Sequence, residues 1–422
     1  MVALFFVSAD ISAAKLTASP GQSLQTMIAG ADDGDEIFLP AGHYAGPINI
    51  SRSVHIRGQV GTVIDGGGVS HGLIIAAPRV IIEGLAIINW GHNLTQQDAG
   101  ILVLNTASDS VIKNNQLTGP GFGIWLDSVQ RVQVINNKVH GDPQLRSQDR
   151  GNGIHLFNVR DVLVQANTVS HTRDGIYIDN SSHCLLKDNQ ISDLRYGIHY
   201  MYAYDNRIEG NVTRNTRTGY ALMQSKRLTV IANRSIEDDN YGILMNNITG
   251  SLLRHNRVEH IRQPVNQQQG QISGGDGKAI FVYNSQFNQF LDNRFVSSDI
   301  GIHLTAGSED NVVAGNAFIN NRQQVKYVAT RAQEWSKNGR GNYWSNYLGW
   351  DLNDDGIGDT AFEPNDAMDR LLWRYPAARP LMHSPSVLSL RWAQRQFPVF
   401  RPQGVKDSAP LMVEPITPQV GT

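Results

Sequence analysis

The sequence predicts an all-β chain, a single-stranded right-handed parallel β-helix. Three observations lead there: asparagines recur at a nearly constant step, glycine-started strands recur in phase with them, and both series run through most of the 422 residues. Composition agrees, because 40 glycines and only 18% charged residues suit a turn-rich β chain better than a helical one.

The asparagine series is Asn115, Asn137, Asn167, Asn189, Asn211, Asn233, Asn256, Asn293 and Asn316, with steps of 22, 30, 22, 22, 22, 23, 37 and 23. The two long steps coincide with polar insertions, residues 141–152 and 262–278. A solenoid accepts loops between strands without losing its period. The second series starts at Gly100, Gly123, Gly153, Gly175, Gly197, Gly219, Gly242 and Gly301, each followed by alternating apolar residues. Alternation means one face buried and one exposed. A third set of short apolar pairs, such as Val111-Ile112 and Leu252-Leu253, lies just before each asparagine. Ten to twelve coils of about 22 residues, with two or three strands each, follow. Asparagine tolerates the left-handed turn conformation, and amides stacked at about 4.8 Å can bond along the stack.

Taken along the chain, residues 1–14 read as the remnant of an export signal, with an apolar run Val2–Val7 before the small residues Ser12-Ala13-Ala14. The β-helix is expected over 15–328, opened by a capping helix at Ser23–Gly30 that protects the sheet edge. This start resembles the cap of pectin-lyase-like β-helices. Residues 329–380 hold four of the seven tryptophans and form a separate Trp-rich unit. Residues 381–422 read as an amphipathic helix, about 386–396, and a proline-rich extended tail. The lone Cys184 excludes an intrachain disulfide and falls on an inward position, equivalent to Val132 and Val162, as a core filler. With 36 basic and 38 acidic residues there is no case for nucleic-acid binding. No run approaches the ~18 apolar residues of a spanning helix.

Chemistry is expected on the outward face of the glycine-started strands. Two residues after each glycine stand Leu102, Trp125, His155, Tyr177, His199, Ala221, Leu244 and His303. Two further on come Asp127, Phe157, Asp179, Met201, Met223, Asn246 and Thr305. Asp127 and Asp179 could form a carboxylate pair, and Trp125 and Tyr177 could stack on sugar rings. With no Arg or Lys among these positions, a uronate lyase or epimerase loses support. His199, Met201 and Met223 instead bring imidazole and thioethers together, a donor set that suits Cu(I). Exposed methionines beside Tyr200 and Tyr202 can equally be packing filler. Met382, His383 and Met412 are further copper candidates in the tail. Finally, Asp351, Asn353, Asp355, Ile357 and Asp359, with Gly356 at the sixth position, match the first part of an EF-hand loop and are candidate Ca²⁺ ligands. The twelfth position is Phe362 instead of the bidentate Glu, so an acidic turn is the competing reading.

The coils, the stretch Gly341-Asn342-Tyr343-Trp344-Ser345-Asn346-Tyr347, the Asp351–Asp359 loop and the segment Asp366–Pro376 together resemble the NosD family. The resemblance implies a periplasmic accessory protein, not an enzyme, for assembly of the copper–sulfur cluster of nitrous oxide reductase. It further implies partnership with an ABC transporter, permease plus ATPase, and Cu(I) supplied transiently by a copper chaperone lipoprotein. The chain has no Walker motif, so any ATP hydrolysis belongs to a partner. A carbohydrate-binding or uronate-polymer-modifying β-helix is the alternative.

Overall fold

The computed structural model describes residues 13–263, 277–305, 307–328, 331–365 and 404–415, and between them 368–369, 371, 375, 381 and 384–396. The apolar start of the export-signal reading, Met382 and His383 lie outside the described residues. The chain divides into two compact units, Met1–Thr168 and Val169–Thr422. Each is a right-handed parallel β-solenoid, and the turns number about 14. The expected ten to twelve was too low because the first coils carry no ladder asparagine to count them by.

In the first unit one sheet runs Lys15–Thr17, Glu36–Leu39, His55–Gly58, Ile81–Glu83, Val111–Lys113, Gln133–Ile135 and Leu163–Gln165, all parallel. The helix Leu24–Gly30 is capped by Ser23, whose hydroxyl accepts the Thr26 N–H at 3.3 Å. In the second unit the strands of this series stack in register as Asp174–Asp179, Tyr196–Met201, Thr218–Met223, Tyr241–Asn246, Lys278–Tyr283, Ile300–Thr305 and Gln323–Val328, with Ala279 and Gln324 in place of the glycine in Lys278–Tyr283 and Gln323–Val328. Ile176, Ile178, Ile198, Tyr200, Tyr220, Leu222, Met245, Ile280 and Val282 point inward and are fully buried, as is Cys184 at 2% exposure. Strict alternation fixes register here, since a one-residue slip would turn every core side chain outward.

The asparagines form two runs of one device. In the first unit Asn115 gives its N–H and side-chain amide to Asn137 Oδ1, and Asn137 does the same to Asn167. In the second unit the run passes through Asn189, Asn211, Asn233, Asn256, Asn293, Asn316 and Asn342. The left-handed turn conformation, however, belongs to the residue before each of them from Asn115 to Asn316. Asn114, Asn136, Ala166, Asp188, Ala232, His255 and Asp292 have positive φ, with glycine at 210 and 315. The ladder asparagines are therefore selected for amide geometry alone.

The C-terminal part departs from expectation in two ways. Asn342 continues the amide ladder and Tyr343–Trp344 pairs with Ala317–Phe318, so the solenoid runs on into the Trp-rich unit. Phe318 and Trp344 stack with centroids 4.4 Å apart. Then the tail returns. Val405–Lys406 pairs with Gln333–Glu334, and Asp407 closes the ladder by accepting the Asn342 N–H at 2.7 Å and the Trp344 indole N–H at 2.8 Å. Val405, Asp407, Ala409 and Leu411 are buried, so this stretch is a sealing strand rather than a free extended tail. An apolar row between prolines acquires its fold from the coil end it covers. A helix spans Pro385–Gln396.

Candidate functional site

The strands Tyr196–Met201 and Thr218–Met223 hold the three copper candidates. Ile198 and Tyr200 face the core, which places His199 and Met201 together on the outer side of their strand. Met201 is the direct register partner of Met223 on the next coil, with Asp179 below and Asn246 above in the same column. The two thioethers thus stand on neighbouring coils, about 5 Å apart along the stack. Both are half-buried.

His199 is only 7% exposed. Tyr177, its register partner, meets the imidazole edge-on at 4.6 Å between centroids, and Tyr196 does so at 5.0 Å. Nδ1 lies 2.9 Å from Asp174 Oδ2. Asp174 is buried and also receives the Arg195 guanidinium in a fork, Nε to Oδ1 at 2.8 Å and Nη2 to Oδ2 at 2.7 Å. Burial works to raise the Asp174 carboxyl, but His199 and Arg195 outweigh it and hold the group below its ordinary value. Burial, assisted by Asp179 and Asp174, pushes the Tyr177 phenol up to about 12. The other ring nitrogen of His199, Nε2, is buried and has no hydrogen-bond partner. A site with an uncoordinated imidazole nitrogen and paired thioethers nearby has the donors for a soft cation.

The sequence reading located the three candidates on one face but missed Asp174, Arg195 and Tyr196. These lie at or before the strand start, where the residue type changes from coil to coil, so only register reveals them. The expectation that the outer face lacks cations is corrected. Lys326 is the register partner of His303, and Lys278 lies over the Tyr241 ring at 5.1 Å. Both lie on strands that the glycine series skips, because Ala279 and Gln324 stand where the glycine would be. Of the carbohydrate candidates, Trp125 is buried, at 6% exposure, in a cluster with Phe122 and Ala99, so it presents no open stacking face. Asp127 belongs to the first unit and Asp179 to the second.

In the Asp351 loop, Asp351 accepts the Asp355 and Gly356 N–H groups at 3.2 and 2.8 Å, Asp355 accepts that of Ile357 at 2.8 Å, and Asp359 that of Leu352 at 2.7 Å. Asn353 donates to Asp355 at 2.9 Å. The loop is fixed from outside by Met412, whose N–H reaches Gly356 O at 3.0 Å, which places this tail methionine in the C-terminal closure. Among the described residues no three His, Cys, Asp or Glu side chains are grouped to hold a metal. Among them, too, no helix is long and apolar enough to cross a membrane.

The family model described as periplasmic copper-binding protein (NosD) matches residues 135–349. A probable ABC transporter binding protein NosD of Pseudomonas aeruginosa is 57% identical over 384 residues, 91% of this chain and 90% of the relative. The chain belongs to the NosD family. Its counterpart in Stutzerimonas stutzeri, with the same description, is 53% identical over 394 residues, 93% of this chain and 90% of that one. These NosD relatives are named as binding proteins and not as enzymes. A surface adhesin of Streptococcus pneumoniae, PfbA, superposes with a TM-score of 0.57 at 12% identity, covering 72% of this chain and 94% of that chain, a likeness of fold alone.

Proposed function

We propose that this NosD protein is a periplasmic accessory factor that handles Cu(I) for assembly of the copper–sulfur cluster of nitrous oxide reductase. It works with an ABC transporter, permease and ATPase, and takes the ion transiently from a copper chaperone lipoprotein. The cargo binds at His199, Met201 and Met223. The observation that carries this reading is the pairing of Met201 with Met223 on adjacent coils, on the face where His199 keeps an uncommitted nitrogen. Two thioethers and one imidazole make a low-coordinate soft site, able to hold Cu(I) and to release it to a stronger acceptor. The rigid ladder beneath keeps the donors at coil spacing without a conformational cost on binding.

A Cu(I) competition titration under reducing conditions tests it. The parent is expected to bind about one Cu(I), and a Met201→Ala/Met223→Ala variant to lose it. Unchanged binding in the variant moves the cargo site away from this face. Co-purification with the permease and copper loading of the reductase test the partner assignments.

A further inference from the structure

Cu(I) needs an imidazole nitrogen whose lone pair is free, and a neutral histidine offers that lone pair on either of two atoms. In this chain the choice is made by residues that touch no thioether. The Arg195 fork uses both oxygens of Asp174 as acceptors, at 2.8 and 2.7 Å. Such a fork fits a carboxylate, and a carboxylate can only accept. The His199 Nδ1, 2.9 Å from Oδ2, must then be the donor, which leaves the lone pair of the neutral ring on Nε2. That atom is the buried one without a hydrogen-bond partner. The ring cannot easily turn over, because Tyr177 and Tyr196 meet it edge-on at 74° and 84° and Tyr196 is itself covered by the Arg195 guanidinium at 4.4 Å.

We propose that Asp174, clamped by Arg195, is a positioning residue that holds His199 in the tautomer with its proton on Nδ1 and its lone pair on Nε2, ready for the cargo ion. This deepens, and rests on, the reading of His199 as a Cu(I) ligand. Carboxylates behind ligating histidines act in this way, and their loss weakens metal affinity 10- to 100-fold.

The test uses the full chain with Asp174→Asn. The Arg195 fork then takes the amide oxygen, and the amide N–H₂ turns toward His199, so the ring proton moves to Nε2 as it does when the aspartate behind a catalytic histidine is amidated. Nitrogen-15 shifts of labelled histidine, read on copper-free protein, report the tautomer directly. The expected result is Nδ1–H in the parent, Nε2–H in the variant, and Cu(I) affinity lower by 10- to 100-fold. A parent with Nε2–H, or a variant with unchanged tautomer, overturns the proposal. So does a switched tautomer with unchanged copper affinity in a parent that binds. A parent that binds no Cu(I) but shows the tautomer switch removes the copper reading while upholding the control of the ring by Asp174. If Asp174→Asn does not fold, the double variant Asp174→Ala/Arg195→Gln, which removes both the acceptor and the charge paired with it, is read by the same shifts; a mixture of tautomers is expected, and a pure Nδ1–H form refutes the control of the ring by Asp174.

Discussion

Asn233→Ala removes one tread of the amide ladder in the second unit. Asn233 Oδ1 accepts the Asn211 backbone N–H and the Asn211 amide, both at 3.0 Å, and its own amide donates to Ile208 O at 2.8 Å and Ile231 O at 3.0 Å. The Asn211 amide keeps the Leu186 and Glu209 carbonyls, so its backbone N–H is the group left stranded. Asn233 is 1% exposed, so water cannot take its place. An orphaned buried donor costs about 1–3 kcal/mol, and the lost amide bonds to Ile208 and Ile231 bring the total to about 3 kcal/mol. At roughly 2–4 °C per kcal/mol for a unit of this size, the melting temperature should fall by about 6–12 °C. Denaturant unfolding gives the free energy, and amide hydrogen exchange gives its place, with protection lost at Asn211 first. Gln190→Ala, an exposed strand position in the same unit, should change stability by less than about 0.5 kcal/mol. A loss below about 1 kcal/mol for Asn233→Ala, or an Asn211 amide as protected as before, would refute the view that the ladder carries stability.

Other outcomes follow from the same geometry. Burial pushes the Asp238 carboxyl up to about 6 although Ser235, Thr216 and Thr213 bond to it. Its folded value lies above the unfolded one, so the contribution of Asp238 to stability is greatest below about pH 4, falls as pH rises toward 6, and is flat above. The size is about 3 kcal/mol at 1.36 kcal/mol per pH unit, and Asp238→Asn should flatten this part of the profile in denaturant melts. Asp407→Ala strands the Asn342 N–H and the Trp344 indole N–H, so a loss of about 2–4 kcal/mol and a red shift of tryptophan emission are expected; unchanged emission would mean that the coil end stays closed without it. We expect Ca²⁺ to raise the melting temperature by a few degrees and Asp355→Asn to abolish the rise; identical melts with and without chelator would make the Asp351 carboxylates caps of a turn only.

Much of the architecture was legible because the coil repeats itself. Gly197 and Gly219 start equivalent strands, and counting in twos from them places Met201 beside Met223 with no other information. The repeat was silent where residue type changes from coil to coil. Phe122, Asp174, Tyr196, Thr218 and Tyr241 occupy one position, so nothing marked Asp174 as the partner of a histidine 25 residues later. The sealing strand was hidden for a different reason. Val405, Ala409 and Leu411 are few and lie near prolines, and they are buried where the stretch pairs with Gln333–Glu334 and bonds to Asn342. The turn residues were misassigned because two adjacent asparagines, such as Asn114 and Asn115, share a composition signal but divide the work between backbone and side chain.

The ladder that fixes each coil also gives the site a reading frame. Met201 and Met223 are 22 residues apart in sequence, yet one strand spacing apart in space, and that equivalence holds only while each coil closes at the same tread. A one-residue deletion within Thr218–Met223 would carry Met223 to the inner face and bring its neighbour Leu222 outward. Residues added at the turn positions, as in the insertions at 141–152 and 262–278, leave the frame intact. Evolution of the loops is therefore free to change what the solenoid touches, while the spacing of the donors stays locked to the pitch of the coil.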